Sequence, residues 1–193
     1  MRRSRAAAFI TVRPPHPSKS GTWYQGTTDS IYQNLDTLED DAPKHVLILS
    51  GDHSYKMDYG RMLEQHLDTK AALTMGAVKV PVAESPRFGI FEVDSADRVL
   101  SFEEKPRKGK EIPGQPGFCL GSMGIYIFET GELVRRLNED AQRGAESSHD
   151  FGKDMIPRMI GEAPVLAHRF HDMKFPESEP YWRDVGTLEA YFD

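Results

Sequence analysis

One cysteine, Cys119, stands in 193 residues, so an internal disulfide is impossible. A reducing, cytoplasmic setting is the expectation. No apolar run approaches the ~18–20 residues that cross a bilayer. The basic, small-residue start from Met1 to Ala8 is not followed by the apolar core of a signal peptide. No membrane partner is expected. A positive excess is missing too: 24 Lys and Arg stand against 30 Asp and Glu, for a formal charge of −6. Nucleic-acid binders usually present a basic face, so no nucleic acid is expected, and any phosphate chemistry must rest on a few placed cations. Arg2, Arg3 and Arg5 allow a targeting or nucleic-acid arm, a solvated terminus being the other reading. The G-x-S-x-G elbow of a serine hydrolase is absent, which removes Ser147, Ser148 and His149 beside Asp150 as a nucleophile set. With a lone cysteine and no paired histidine spacing, a zinc site is not expected either. There is neither an internal repeat nor a low-complexity segment.

What is present suits one domain with a sizeable core. Residues 13–21 are rich in Pro and read as a loop. Thr28 is placed to cap a helix whose apolar positions are Ile31, Leu35 and Leu38. His45–Leu49 is a continuous apolar run between Pro43 and Ser50-Gly51, which predicts a central parallel strand covered on both faces. Tyr59, Met62, Leu63, His66 and Leu67 form a helical stripe. Ala72–Val80 reads as a strand stopped by Pro81. Two short strands are expected around the turn Asp94-Ser-Ala-Asp97. Residues 105–117 read as an exposed loop, Ser122–Phe128 as a strand, 131–139 as a helix. A helix is expected over Ser148–Ile160 with Pro157 marking or kinking its end, then a strand over Val165–Phe170 and a helix from Leu188. Strands alternating with helices imply an α/β fold with a mostly parallel sheet, and ligands in such sheets sit at the carboxyl ends of strands. That rule selects the residues after Leu49.

Four strings carry chemistry. In Leu49-Ser-Gly-Asp52-His53 a carboxylate follows a strand, a position suited to a hard cation; a turn or capping aspartate is the other reading. Tyr181-Trp182-Arg183-Asp184-Val-Gly-Thr187 offers Asp184 as a second ligand, against a helix-start residue among core aromatics. In Phe102-Glu103-Glu104-Lys105-Pro106 the lysine ends a strand where a phosphate can dock, against an ordinary surface lysine. Trp23-Tyr24-Gln25-Gly26-Thr27 precedes a helix whose start offers N–H groups, with aromatics to stack on a base; a plain cap with a hydrophobic staple is the alternative.

In this order these strings, with Phe88-Gly89, Ser122-Met-Gly-Ile-Tyr126 and Ser147-Ser-His-Asp150-Phe-Gly-Lys153-Asp154, resemble the bacterial ADP-glucose pyrophosphorylases over residues 21–193. The resemblance implies a Rossmann-like nucleotidyltransferase sheet, mixed and mostly parallel, flanked by helices. It implies the reaction of ATP with glucose-1-phosphate to give ADP-glucose and pyrophosphate for glycogen synthesis. Carried over, Asp52 and Asp184 hold Mg²⁺ and, with Lys105 on the sugar phosphate, form the catalytic set. Glu104, Gly89 and Ser122 contact the sugar, Asp150 and Lys153 line its side, Trp182 shapes the pocket, and Tyr24, Gly26 and Thr27 lie near the adenine.

The family also carries a G-G-x-G-x-R-L phosphate loop and a C-terminal β-helix that supports a homo-tetramer. Neither has a counterpart in these residues, and Thr28 and Ser30 replace the family's common alanines. The expectation is an N-terminal segment over 1–20, a partial catalytic domain over 21–193, weak or absent turnover, and an exposed hydrophobic sheet edge. Phe9–Val12 is the suggested strand before the Trp-Tyr loop. The alternatives are a UTP- or dTTP-using relative and a non-catalytic regulatory or binding subunit.

Overall fold

The computed structural model describes residues 12–13, 23–171 and 181–185, and of Glu39, Asp40, Asp41 and Asp184 the backbone alone. The strand suggested at Phe9–Val12 (Val12 apart) and the helix from Leu188 lie outside these residues. Two short helices come first, α1 (Thr27–Tyr32) and α2 (Leu35–Asp41). Then follow β1 (His45–Leu49), β2 (His53–Tyr55), α3 (Tyr59–Thr69), β3 (Leu73–Pro81), β4 (Gly89–Val93), β5 (Val99–Glu104) and the long β6 (Phe118–Glu129). Helix α4 (Thr130–Gln142), a π-helical turn at Phe151–Met155, α5 (Ile156–Met159), β7 (Val165–Arg169) and β8 (Trp182–Asp184) complete the order.

Six strands form one sheet in the order β5-β4-β6-β3-β7, with β1 added to the far half of β6; β2 and β8 make a separate ribbon. The sheet is mixed and flanked by helices, as expected of a Rossmann-like nucleotidyltransferase. Its balance differs from the expected parallel majority: among the described strands only β3–β7 pairs parallel, while β1–β6, β3–β6, β4–β5 and β4–β6 are antiparallel. The tight Asp94–Asp97 turn returns the chain beside itself and makes β4–β5 antiparallel, while β6, which is not consecutive in sequence with β1, β3 or β4, runs against all three. In the Asp94–Asp97 turn Asp94 Oδ1 accepts from the N–H groups of Ala96 and Arg98.

The core lies on both faces. On β6, Leu120 and Phe128 join one cluster with Leu133 and Leu137 of α4 and Phe151, Met155 and Ile156. Cys119, Met123, Ile125 and Ile127 join the other, with Met62 of α3. Alternate residues of one strand thus feed opposite layers. The fully covered centre of the sheet is β3, where Leu73–Val78 are all buried. The run His45–Leu49 is not that centre: Leu47 and Leu49 are 39% and 44% exposed. Among the described residues β1 pairs on one side only. A five-residue apolar run looks the same at the middle of a sheet and at its edge.

Three further expectations are corrected. Thr28 does not cap α1. Gly26 holds that position, and Thr28 is buried with its hydroxyl on Asp140. The helix expected over Ser148–Ile160 is a capped π turn running into α5, and Pro157 opens α5 rather than ending it, since the first turn tolerates a missing N–H. The loop 105–117 is only partly exposed, because Pro106, Gly109 and Ile112 are buried. No described helix is long and apolar enough to cross a membrane.

Candidate active site

Between Met75↔Tyr126 and Ala77↔Ser122, β6 has three residues (123–125) where β3 has only Gly76. This bulge is built on Gly124, whose φ of +66° suits glycine. A side chain there would also strike Ser50 Oγ at 2.4 Å. The bulge draws the end of β1 close, and Ser50 N–H donates to Gly124 O at 3.1 Å.

The result is a cavity of about 380 Å³ lined by five stretches of chain. Thr27, Ser30 and Ile31 come from α1, and Ile48, Leu49 and Ser50 from the carboxyl end of β1. Glu104 closes β5, Gly124 lies in the bulge with Tyr126 beside it, Asp150 caps the π turn, and Phe151 and Gly152 open it.

Two carboxylates face this space. Glu104 sits in a slot made by glycines: a Cβ on Gly89 would lie 2.9 Å from its Oε2, and one on Gly152 would lie 2.7 Å away. Burial, then the nearby Asp150, push its carboxyl above the usual range, while Lys105 and Lys153 pull it back. Asp150 uses Oδ1 to accept from the N–H groups of Gly152 and Lys153, at 2.9 and 3.0 Å. Its Oδ2 accepts from Thr27 Oγ1 at 3.4 Å, and that hydroxyl in turn accepts from Phe151 N–H at 3.1 Å. Tyr126 stands below both acids. Burial raises its pKa to about 12, Glu104 and Asp150 acting in the same direction against a hydrogen bond with Ser122. It is therefore a neutral hydroxyl at any physiological pH.

Lys105 follows β5 in the left-handed region, φ +52°, a conformation that costs an L residue energy and concentrates at functional sites. The strain is held because its N–H donates to Phe88 O at 3.0 Å and buried Pro106 follows. Its ammonium is exposed and lies 4.0 Å from Glu104 Oε1.

The β2–β8 ribbon pairs His53 with Asp184, and Val185 N–H donates to Asp52 O at 2.9 Å. The backbone thus brings these two distant acids together. Asp52 is exposed, and His53 Nε2, at 3.3 Å, is its one ion-pair partner among the described residues. The ribbon adjoins the cavity, since a Cβ on Gly124 would also lie 3.2 Å from His53 Cε1. Trp182 packs edge-on against His53 and Phe88, with centroids at 4.9 and 5.5 Å. Phe88 therefore touches the ribbon through its ring and Lys105 through its carbonyl.

Of the residues singled out from sequence, Thr27, Glu104 and Asp150 line the cavity. Gly26, Gly89 and Ser122 act on it through their neighbours, by close approach or a hydrogen bond. Lys105 and Lys153 stand near Glu104 without lining the space, and Asp52, Asp184 and Trp182 belong to the adjoining ribbon. Tyr24 is half-buried and its hydroxyl accepts from Asn34 Nδ2 at 3.0 Å. At the start of α1, Thr28 N–H donates to His149 O, and just before the helix Gln25 N–H donates to Asp29 Oδ2. Tyr126, Ser50 and Phe151 were given no role from sequence. The one signal for Tyr126 was a polar-tipped aromatic two residues past a glycine inside a strand, which the core also explains.

A family model described as nucleotidyl transferase matches residues 6–193, and the chain belongs to that family. The chain is 48% identical over 188 residues to the glucose-1-phosphate adenylyltransferase of Nitrosomonas europaea, covering 95% of this chain and 43% of that protein. The same-named proteins of Saccharophagus degradans (45% over 186 residues, 96% and 43% covered) and Agrobacterium fabrum (49% over 173 residues, 88% and 41% covered) are similar too. The chain spans less than half the length of these curated relatives.

Proposed function

We propose that the chain is catalytic-domain sequence of a glucose-1-phosphate adenylyltransferase, joining ATP and glucose-1-phosphate into ADP-glucose with release of pyrophosphate. The observation that supports this best is the cavity with Glu104 and Asp150 on one side and the strained Lys105 beside it. The two acids accept hydroxyl protons of a hexose, Tyr126 donates to it, and the lysine meets its phosphate. Thr27 and Ser30 on α1 face the nucleotide side.

A phosphate monoester is largely a dianion at neutral pH, with a second pKa near ~6. Its oxygen attacks the α-phosphorus of ATP without a general base, and pyrophosphate leaves with the electron pair of the broken bond. The protein's part is alignment and charge neutralisation. An exposed Asp52 next to the Asp184 backbone suits a cation such as Mg²⁺, which takes one or two carboxylates and completes its shell with phosphates and water. When bound there, the cation would neutralise charge on the reacting phosphates. Among the described residues no group of three His, Cys, Asp or Glu that could hold a metal ion is found.

The test is calorimetric titration of the chain with glucose-1-phosphate. Binding should weaken about 10- to 100-fold in Lys105→Ala, the range for a lost charged hydrogen bond. Glu104→Gln should weaken it by about tenfold. No binding by the unmodified chain, or equal binding by Lys105→Ala, would refute the reading.

A further inference from the structure

Asp140, in the last turn of α4, is 6% exposed and takes no part in the cavity, yet three donors converge on it. Thr28 Oγ1 donates to Oδ2 at 2.7 Å, His149 Nδ1 lies 2.9 Å from the same oxygen, and Ser147 Oγ donates to Oδ1 at 2.6 Å. Burial alone would raise the carboxyl's pKa, but these hydrogen bonds outweigh it and hold the group below the usual range.

The donors belong to the two segments that face each other across the sugar side of the cavity. Each is next to a lining residue or within a few positions of one: Thr28 follows Thr27, and His149 precedes Asp150. The segments also touch directly, through Thr28 N–H on His149 O at 2.9 Å. His149 lies in the left-handed region, φ +54°. Its ring is pinned by Asp140 and its N–H by Ser147 Oγ at 3.0 Å. Asp154 holds the same loop from the other side through Ser148. Leu133 and Leu137 already seat α4 on the core, so the fold does not need a carboxylate at its end.

We propose that Asp140 is a positioning residue: it fixes the 147–150 loop against α1 and so sets where Asp150 presents its oxygens to the hydroxyl groups of the sugar phosphate. The inference rests on the functional reading above. It gives a purpose to a buried acid that packing alone would replace with an apolar side chain.

The experiment is glucose-1-phosphate titration of Asp140→Asn, Thr28→Val and Thr28→Ser, each alone and with Asp150→Ala, in chains shown by cooperative melting to be folded. Asp140→Asn should raise the dissociation constant about tenfold and Thr28→Val about threefold. Thr28→Ser should restore the original value. In the Asp150→Ala background neither Asp140→Asn nor Thr28→Val should weaken binding further, since the group being positioned is gone. If Asp140→Asn does not fold, the Thr28 pair decides. Unchanged affinity in the folded variants, or equal losses with and without Asp150, overturns the inference while leaving the functional reading intact. An unmodified chain that binds no glucose-1-phosphate overturns both.

Discussion

Replacing Gly26 with alanine adds one carbon, and the structure says where it would go. The new Cβ would lie 2.2 Å from His149 O, 2.6 Å from Ser148 O and 2.7 Å from His149 C. All three are backbone atoms, so no side chain can swing aside. The φ of −179° is extended and open to any residue, which leaves sterics as the whole effect. Relief requires α1 and the 147–150 loop to part by about an ångström, a shift that overpacked sites tolerate at ~1–3 kcal/mol. Parting breaks the Thr28 N–H to His149 O bond and stretches the Thr28–Asp140 bond, adding ~0.5–1.5 kcal/mol. The expected loss is therefore about 2–4 kcal/mol, or a fall in Tm of roughly 5–15 °C for a chain of this size. Urea unfolding followed by circular dichroism measures it. Gly51→Ala is the control, because a Cβ there meets nothing within 4 Å, and it should stay within ~0.5 kcal/mol of the parent. A Gly26→Ala protein as stable as the Gly51→Ala one would refute the packing argument.

Two further outcomes follow from buried or strained groups. Burial, reinforced by His45, lowers the pKa of His66 from 6.5 to about 4. The unfolded chain therefore binds the proton first, and stability should fall as pH drops from 6.5 towards 4, by about 2 kcal/mol from this group. The urea midpoint of His66→Gln should vary less over that window than the parent's; parallel curves would refute the assignment. At Lys105 the left-handed backbone predicts that Lys105→Gly is about 1 kcal/mol more stable than Lys105→Ala. Equal denaturation midpoints for the two would show that the site carries no strain.

Much of the element pattern was legible in the residues. The hairpin around Asp94–Asp97, the stripe of α3 and the β7 strand follow from alternation, helical spacing and Pro or Gly punctuation. The candidate site was legible only as a set of strings: Glu104, Thr27 and Asp150 carry no local signal that separates ligand contact from surface chemistry. Asp140 was overlooked although its position spoke. It falls on the same helical face as Leu133 and Leu137, and a carboxylate on a buried stripe asks for partners. Ser147 and His149 invited a hydrolase comparison that motif logic rejected, and the fold shows their employment as donors to that carboxylate.

Local periodicity determined that this chain makes strands and helices in alternation, because a period of two or 3.6 is written within each segment. Composition set how its cysteine and net charge constrain it. Tertiary structure alone decided that β3 rather than β1 is the covered centre, that most neighbours run antiparallel, and that Gly26 meets His149. Those outcomes depend on which surfaces fit one another across tens of residues of chain, and between Gly26 and His149 across more than a hundred; shape complementarity at that range leaves no mark in any single stretch of sequence.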